Sequence, residues 1–382
     1  MSAADTPLAG TPLAGTTVVE LSHVLAGPIC GLMLANLGAR VIKVERPPKG
    51  DGQRWDVAEE DRLGTDSASF FTLNRGKDGR MLDLKSEPDR AALWALIDEA
   101  DVVVENYRAG VLDRLGFGYA DIAARKPDIV YCSVSGFGRT GPWAERGGFD
   151  LIAQAMSGLM SFTGIEGDER PVKCGPPVTD IMAGVLAAMG VLAALNRRAR
   201  TGQGDHVETS LLEAGVMLTY LQSALTLASD VTPAPMGTAH PLYSPYECYR
   251  CADGWIALGT ANEANWQRLL EALGAPEIAD DPRFATTALR VTHRLALTAA
   301  LTERFRADSR DAWVAKLATA GVPCGPVLTI PEMVEHPQVL ARDMIVEADH
   351  AELGRARTVG FPVKFASSGT PALKSAPTRH PR

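Results

Sequence analysis

The chain has 382 residues, 46% of them hydrophobic and 22% charged, with a formal net charge of −8 at pH 7. This length exceeds one typical core and implies two domains, and the composition is that of a globular chain rather than a disordered one. The acidic balance argues against a general binder of nucleic acid or of anionic membranes, both of which need a basic face, but leaves room for a local basic pocket for phosphates.

The opening MSAADTPLAGTPLAGTTVVE lacks the basic region and apolar core of a secretory signal and the arginines of a mitochondrial presequence, so a cytoplasmic location is expected. Its doubled TPLAG reads as a disordered leader. The six cysteines are scattered, at Cys30, Cys132, Cys174, Cys248, Cys251 and Cys324. Only Cys248 and Cys251 have a metal-like spacing. No second pair or His pair accompanies them, and no metal site is expected.

TTVVEL reads as a buried strand, AGPICGLMLANLG as a helix closed by Gly38, and ARVIKVERP as a second strand, together a βαβ unit. Pro28 falls in the first helical turn, where its missing N–H costs nothing. Glu45 sits at the strand end where a dinucleotide-binding protein places its ribose-binding acid. The connection SHVLAGPICG nevertheless carries no G-x-G-x-x-G, so the pyrophosphate cradle of a nicotinamide dehydrogenase is missing. FFTLNRGKDGRMLDLK crowds Asn74, Arg75, Lys77, Arg80 and Lys85 into one segment, on the simplest reading a solvated face. RAALWALIDEADVVVENYRAGVLDRLGFGY gives a helix, the strand DVVVEN and a tight turn into a short helix. PDIVYCSVSGFGRTGPW adds a strand and a glycine-rich loop. Strands alternating with helices imply a mostly parallel sheet. In GGFDLIAQAMSGLMSFTG, Asp150 is placed to cap the helix LIAQAMSGLM.

From Cys174 to Leu195 the chain reads CGPPVTDIMAGVLAAMGVLAAL. Two prolines and a Thr lead to a single carboxylate, Asp180, and then to an uncharged run ending at Asn196-Arg197-Arg198. The run is short for a membrane span and reads as a buried helix starting at Thr179 or Asp180. An acid there faces unpaired N–H groups and the positive end of the helix dipole, which favour its ionised form and make a nucleophile available. On this stretch alone a helix cap, which needs no chemistry, is the simpler role. After a further strand and helix, DVTPAPMGTAHPLYSPYECYR reads as a crossing linker and CADGWIALGT as a strand pair in a second domain. The expected division is 1–225, joined again by 340–382, against 226–339.

Several separate motifs resemble family III CoA-transferases, the CaiB/BaiF family, whose members include formyl-CoA transferase and, as a divergent branch, the α-methylacyl-CoA racemases. They are LSHVLAGPICGLMLANLGARVIKVERP, VENYRAG with LDRLG, PPVTDIMAGVLAAMGVLAALNRRARTGQGDHVETSLLEA, GTAHPLYSPYECY and GVPCGPV, and they cover nearly the whole chain. The resemblance implies an α/β fold: a large Rossmann-like domain with a mostly parallel sheet, a smaller α+β domain, and an interlocked homodimer. It implies that Asp180 is the catalytic nucleophile on the acyl-CoA thioester. Coenzyme A would lie along His23, Val24, Leu25, Arg46, Lys77, Leu82, Asn106, Tyr107, Val111 and Arg114, with Phe149, His240 and Arg146 at the substrate pocket. Coenzyme A enters as a substrate, no cofactor is permanently bound, and the other partner is a small carboxylic acid.

Three positions depart from the family pattern. Leu25 stands where formyl-CoA transferase has a glutamine, Asp78-Gly79 where the family more often has a basic residue and a serine, and Phe149 where the racemases have a histidine. Inversion at an α-carbon takes two bases, and with Phe149 the second is absent. Leu25 and AHPLYSPYECY resemble the branch acting on dicarboxylates such as succinate, malate, mesaconate or glutarate. Arg139 and Arg146 are candidates for the second carboxylate by position. The competing readings are an acyl-CoA racemase or epimerase, and a non-catalytic CoA-binding subunit.

Overall fold

The computed structural model describes residues 10–55, 58–367 and 374–378. They fall into two compact units, the first running to Met160 and including Lys173–Val231 and the chain from Pro337, the second comprising Ser161–Val172 and Thr232–His336. The divisions lie a few residues from those expected at 225 and 340, and the excursion 161–172 was not foreseen.

The main sheet of the first unit is built from β1 (Thr17–Leu21), β2 (Arg40–Glu45), β3 (Asp78–Met81), β4 (Val102–Glu105), β5 (Val130–Ser135) and β6 (Asp205–Ser210), beside two small two-stranded sheets. They form one sheet in the order β3-β2-β1-β4-β5-β6, and every neighbouring pair is parallel. Helices cover both faces, so the central strands TVVEL and VVVE read as continuous apolar runs rather than alternating ones. The chain builds outward from β1 to β3, then returns to place β4 on the other side of β1. Where the order reverses, the connections from β1 and β4 lead to opposite sides of the sheet, and the carboxyl ends of the strands there are where an open α/β sheet has its ligand crevice.

Two helices fix what lies in that crevice. The first, α1 (Ala26–Asn36), follows β1 and is buried over nearly its whole surface. The second, α2 (Val178–Thr201), carries Asp180, ends at Gly202 in the left-handed conformation, and leads into β6. Because β6 is parallel to its neighbours, the start of α2 lies at the same carboxyl edge. Ala183, Gly184, Ala187, Ala188, Val191 and Ala194 form its buried face. A side chain at Gly184 would put a Cβ 2.6 Å from the carbonyl oxygen of Ala26, so only glycine lets the two helices approach this closely. The opposite face of α2, with Ile181, Val185 and Met189, is exposed, so the helix expected to be buried is buried on one face only. By length and composition α2 could cross a membrane, but its small-residue face packs into the core of this unit.

The proposed disordered leader lies partly outside the described residues. Its second TPLAG copy is not loose: Leu13 is buried in the core and its N–H donates to the Leu37 carbonyl at 2.9 Å.

The second unit holds a three-stranded antiparallel sheet of Tyr246–Arg250, Trp255–Gly259 and Cys324–Pro326. Helices pack on it around Tyr249, Ile256, Trp266, Leu297, Phe305 and Trp313. Cys248 and Cys251, on and just after its first strand, are free thiols.

Candidate active site

The loop from β1 into α1, Ser22-His23-Val24-Leu25, is pinned residue by residue. The Lys43 ammonium donates to the Ser22 carbonyl at 2.9 Å. Asn106, just past β4, brackets His23, accepting from its N–H at 2.9 Å and donating to its carbonyl at 2.8 Å. Both Asp51 carboxylate oxygens accept from the Val24 N–H, at 3.1 and 3.2 Å. Val24 has φ 64°, a left-handed conformation that a β-branched residue adopts only when its surroundings impose it. The His23 ring meets Tyr107 edge-on at 5.4 Å. Burial, only partly offset by Asp51, lowers its pKa, so the imidazole is neutral at pH 7. Thus His23, Val24, Leu25, Asn106 and Tyr107 stand together at the point where the strand order reverses.

Around this loop the expected basic residues separate into two groups. Arg46, exposed just past β2, is among the charges acting on the Tyr107 hydroxyl. Arg108, Gly110, Val111, Asp113, Arg114, Arg139 and Glu145 line a cleft of about 510 Å³ beyond β4. Arg46, Arg108 and Arg114 are exposed, and none has a side-chain hydrogen bond or ion pair with another described residue. A polyanionic nucleotide would find these cations uncommitted.

The segment around Lys77 is different, and it corrects both the solvated-face reading and the expected phosphate contact. Lys77 is buried, pairs with Glu20 at 2.7 Å, and donates to the Pro28 carbonyl and to Asn74 Oδ1. Burial pulls its pKa down to about 8 despite Glu20. Asn74 is fully buried, and Arg75 donates to the carbonyls of Thr72 and Val359. Leu82 belongs to a core cluster with Val44 and Leu112 rather than to an open path. Of this segment's cations, only Arg80 and Lys85 reach the surface.

Asp180 is the third residue of α2, not its cap. The capping role belongs to Asp150, the first residue of the helix Asp150–Met156, which acts across to its neighbour instead of on its own helix. Asp150 Oδ1 accepts from the Thr179 N–H at 3.0 Å and from the Thr179 hydroxyl at 2.8 Å, and its Oδ2 accepts from Gln154 at 2.7 Å. Asp180 itself receives no side-chain hydrogen bond or ion pair from any described residue. Burial first, and the negative charge of Asp150 second, raise its pKa to about 7. This reverses the sign expected from the helix dipole. The orphan N–H groups of the first turn favour an anion only where they reach it, and Asp150 has taken one of them.

The remaining expected residues are more dispersed. Phe149 is 70% exposed at the start of the Asp150 helix and offers no proton-transfer group. Arg146 lies over the Trp143 ring at 3.8 Å, while Arg139 is committed to Glu105 at 3.6 Å and Asp113 at 3.4 Å. His240 belongs to the second unit, where it packs against Tyr243 and Tyr246 and accepts from the Leu242 N–H. Glu45 is bound by Arg54 through two bonds of 2.7 Å and is not free for a ribose.

Sequence reasoning missed the buried ionic cluster beneath the loop. Glu20 and Lys43 are register partners on β1 and β2, 3.2 Å apart, and Lys43 reaches Asp51 at 3.0 Å. The signal was present as single charges inside TVVEL and RVIKVE, since a charge in an otherwise buried strand requires a partner.

The sequence signature of CoA-transferase family III matches residues 13–380. The chain is 40% identical, over 87% of its length and 84% of the relative's, to a succinate–glutarate CoA-transferase of Agrobacterium fabrum. It is 38% identical, over 93% of its length and 89% of the relative's, to an acetyl-CoA:oxalate CoA-transferase of Acetobacter aceti. A CaiB/BaiF family protein from Brucella suis is similar in structure, with a TM-score of 0.86 and 38% identity over 97% of this chain and 96% of that one. With the reversing parallel sheet and the motifs distributed along its length, the chain belongs to CoA-transferase family III and is a CoA-transferase.

Proposed function

We propose that this enzyme moves coenzyme A from an acyl-CoA donor to a small dicarboxylic acid through an aspartyl-acyl anhydride at Asp180. The observation that carries the reading is the isolation of Asp180: a half-buried carboxylate at a helix start, with no side-chain cation or donor on it among the described residues. A carboxylate of raised pKa is more nucleophilic once ionised, whereas a paired one has its charge neutralised.

In the first step an ionised Asp180 oxygen attacks the thioester carbonyl, the C–S bond breaks, and the CoA thiolate leaves with the electron pair. The acceptor carboxylate then attacks the aspartyl carbonyl and releases the donor acid as a carboxylate. The thiolate attacks the new acyl carbonyl, forming the product thioester and regenerating Asp180. One anion replaces another at each step, so no proton has to be moved. Phe149, with no ionisable group, is compatible with that sequence.

Arg46, Asn106, Tyr107, Val111 and Arg114 are the residues proposed to hold the CoA moiety, with Arg108 as an addition from the cleft. Named relatives act on succinate and glutarate, on oxalate, and on mesaconate, which supports a dicarboxylate acceptor. We also propose a homodimer. Leu151, Ile152, Met156, Val185, Met189, Val216, Met217 and Tyr220 are exposed large apolar side chains on adjoining helices, which supports a subunit interface there.

Wild type incubated with succinyl-CoA and hydroxylamine is expected to carry a hydroxamate on the peptide containing Asp180. Exchange of the substrate α-hydrogen with deuterated water should be negligible. Rapid α-exchange without hydroxamate would transfer the protein to the racemase reading. Sedimentation showing an active monomer would remove the dimer.

A further inference from the structure

We infer that Asp51 and Lys43 are positioning residues for acyl-CoA, holding Val24 in its left-handed conformation and thereby fixing the bend of the Ser22–Leu25 loop. The inference rests on the proposed function and on coenzyme A lying along His23, Val24 and Leu25, as the family resemblance implies. Neither residue touches the loop's outer face, and both are buried.

The geometry carries the inference further than a stabilising role does. Lys43 ties Ser22 through its carbonyl, Asp51 ties Val24 through its N–H, and the two side chains are joined to each other at 3.0 Å. The pair is anchored below by Glu20 at 3.2 Å from Lys43, and beside it by the Asp51 N–H donating to Glu45 at 2.9 Å. Asn106 holds His23 from the opposite side of the crevice. Three successive loop residues are therefore fixed by side chains from three different segments, and the last of them, Val24, is a strained β-branched residue. Buried ion pairs confer little stability over apolar replacements, so stability alone is a weak account of this one. Left without its tie, Val24 has every reason to return to negative φ, which would turn its N–H and the neighbouring carbonyls and reshape the loop.

The test begins with wild type. The acceptor of the Val24 N–H is the Asp51 carboxylate, so exchange of this amide with deuterium reports on that bond. Protection of about tenfold or more over an unstructured amide is expected, and exchange at the unprotected rate would overturn the inference without any variant. Asp51→Asn keeps the shape and one acceptor but loses the ion pair. It should raise KM for succinyl-CoA by about tenfold or more and lower kcat, while circular dichroism shows a folded chain. Adding Val24→Gly to Asp51→Asn should recover part of the KM loss, because glycine takes the left-handed conformation without strain. A merely structural role predicts no such rescue. If Asp51→Asn matches wild type in KM and kcat while wild type forms the Asp180 hydroxamate, the positioning role is wrong. If wild type forms no hydroxamate and binds no CoA, the reading of the site itself is wrong.

Discussion

Glu20 and Asp180 are both carboxylates withdrawn from water within one unit, and their surroundings drive them in opposite directions. Burial alone would raise the pKa of Glu20, but Lys77 and Lys43 outweigh it and bring the group below the ordinary range, with Ser22 donating as well. Asp180 is only half-buried, but burial is still the largest cause of its shift, no cation offsets it, and the nearby Asp150 adds to the rise. An acid enclosed by ammonium groups is committed to holding backbone. One that is half-buried beside another acid, with no cation on it, is left free to form a bond.

The largest expected effect breaks this contrast on the Asp180 side. Asp180→Ala should reduce turnover by on the order of 10⁴-fold or more, while CoA affinity by calorimetry stays near wild type. A parallel collapse of affinity would make Asp180 part of the scaffold. On the other side, Glu20→Gln leaves two buried ammonium groups facing one remaining carboxylate, and urea unfolding should show a loss of about 3–5 kcal/mol. A loss under ~1 kcal/mol would mean that the cluster tolerates a missing member.

The third prediction sharpens the comparison through pH. With Asp180 raised to about 7 in the folded state, the folded chain retains a proton that the unfolded chain has already released above the ordinary range. Folding is thus favoured at low pH, and that advantage is lost as pH rises through about 7. Asp180→Asn removes the dependence, so it should be more stable than wild type at pH 8, by a few kcal/mol at most, with the difference fading below about pH 4. Equal unfolding curves at pH 8 would show that the carboxylate is better solvated than its surroundings suggest. The smallest effects separate exposed from buried cations. Arg46→Ala and Arg114→Ala should each weaken CoA binding by about 1–3 kcal/mol without changing stability. Lys77→Met should act on stability instead, and an equal loss of CoA affinity from all three would undo the distinction.

The fold was largely legible because its signals are local and repeated. TVVEL, RVIKVE and VVVE announce buried parallel strands, and the helices between them admit few topologies. The cation segment was misread because sequence spacing does not say which way a side chain points. Lys77 and Arg75 look like neighbours of Arg80, yet the first two turn inward to Glu20 and to the Val359 carbonyl. The sign of the Asp180 shift was also beyond reach, since it depends first on burial and then on the charge of Asp150, thirty residues earlier, which also occupies the N–H of Thr179. Local patterns specify elements, whereas charge balance is settled by contacts between them.

Arg54 gives this last point a consequence in time. Fully buried, it holds Glu45 and Asp66, and its remaining acceptor is the carbonyl of Pro377, 323 residues later in the chain at 2.9 Å. During synthesis the early strands can pair as they emerge, but this guanidinium stays short of an acceptor until residue 377 has left the ribosome. A nascent chain would therefore carry an incompletely satisfied core until that distant segment is made, and a protease that clipped between the two would return the mature protein to that unfinished state.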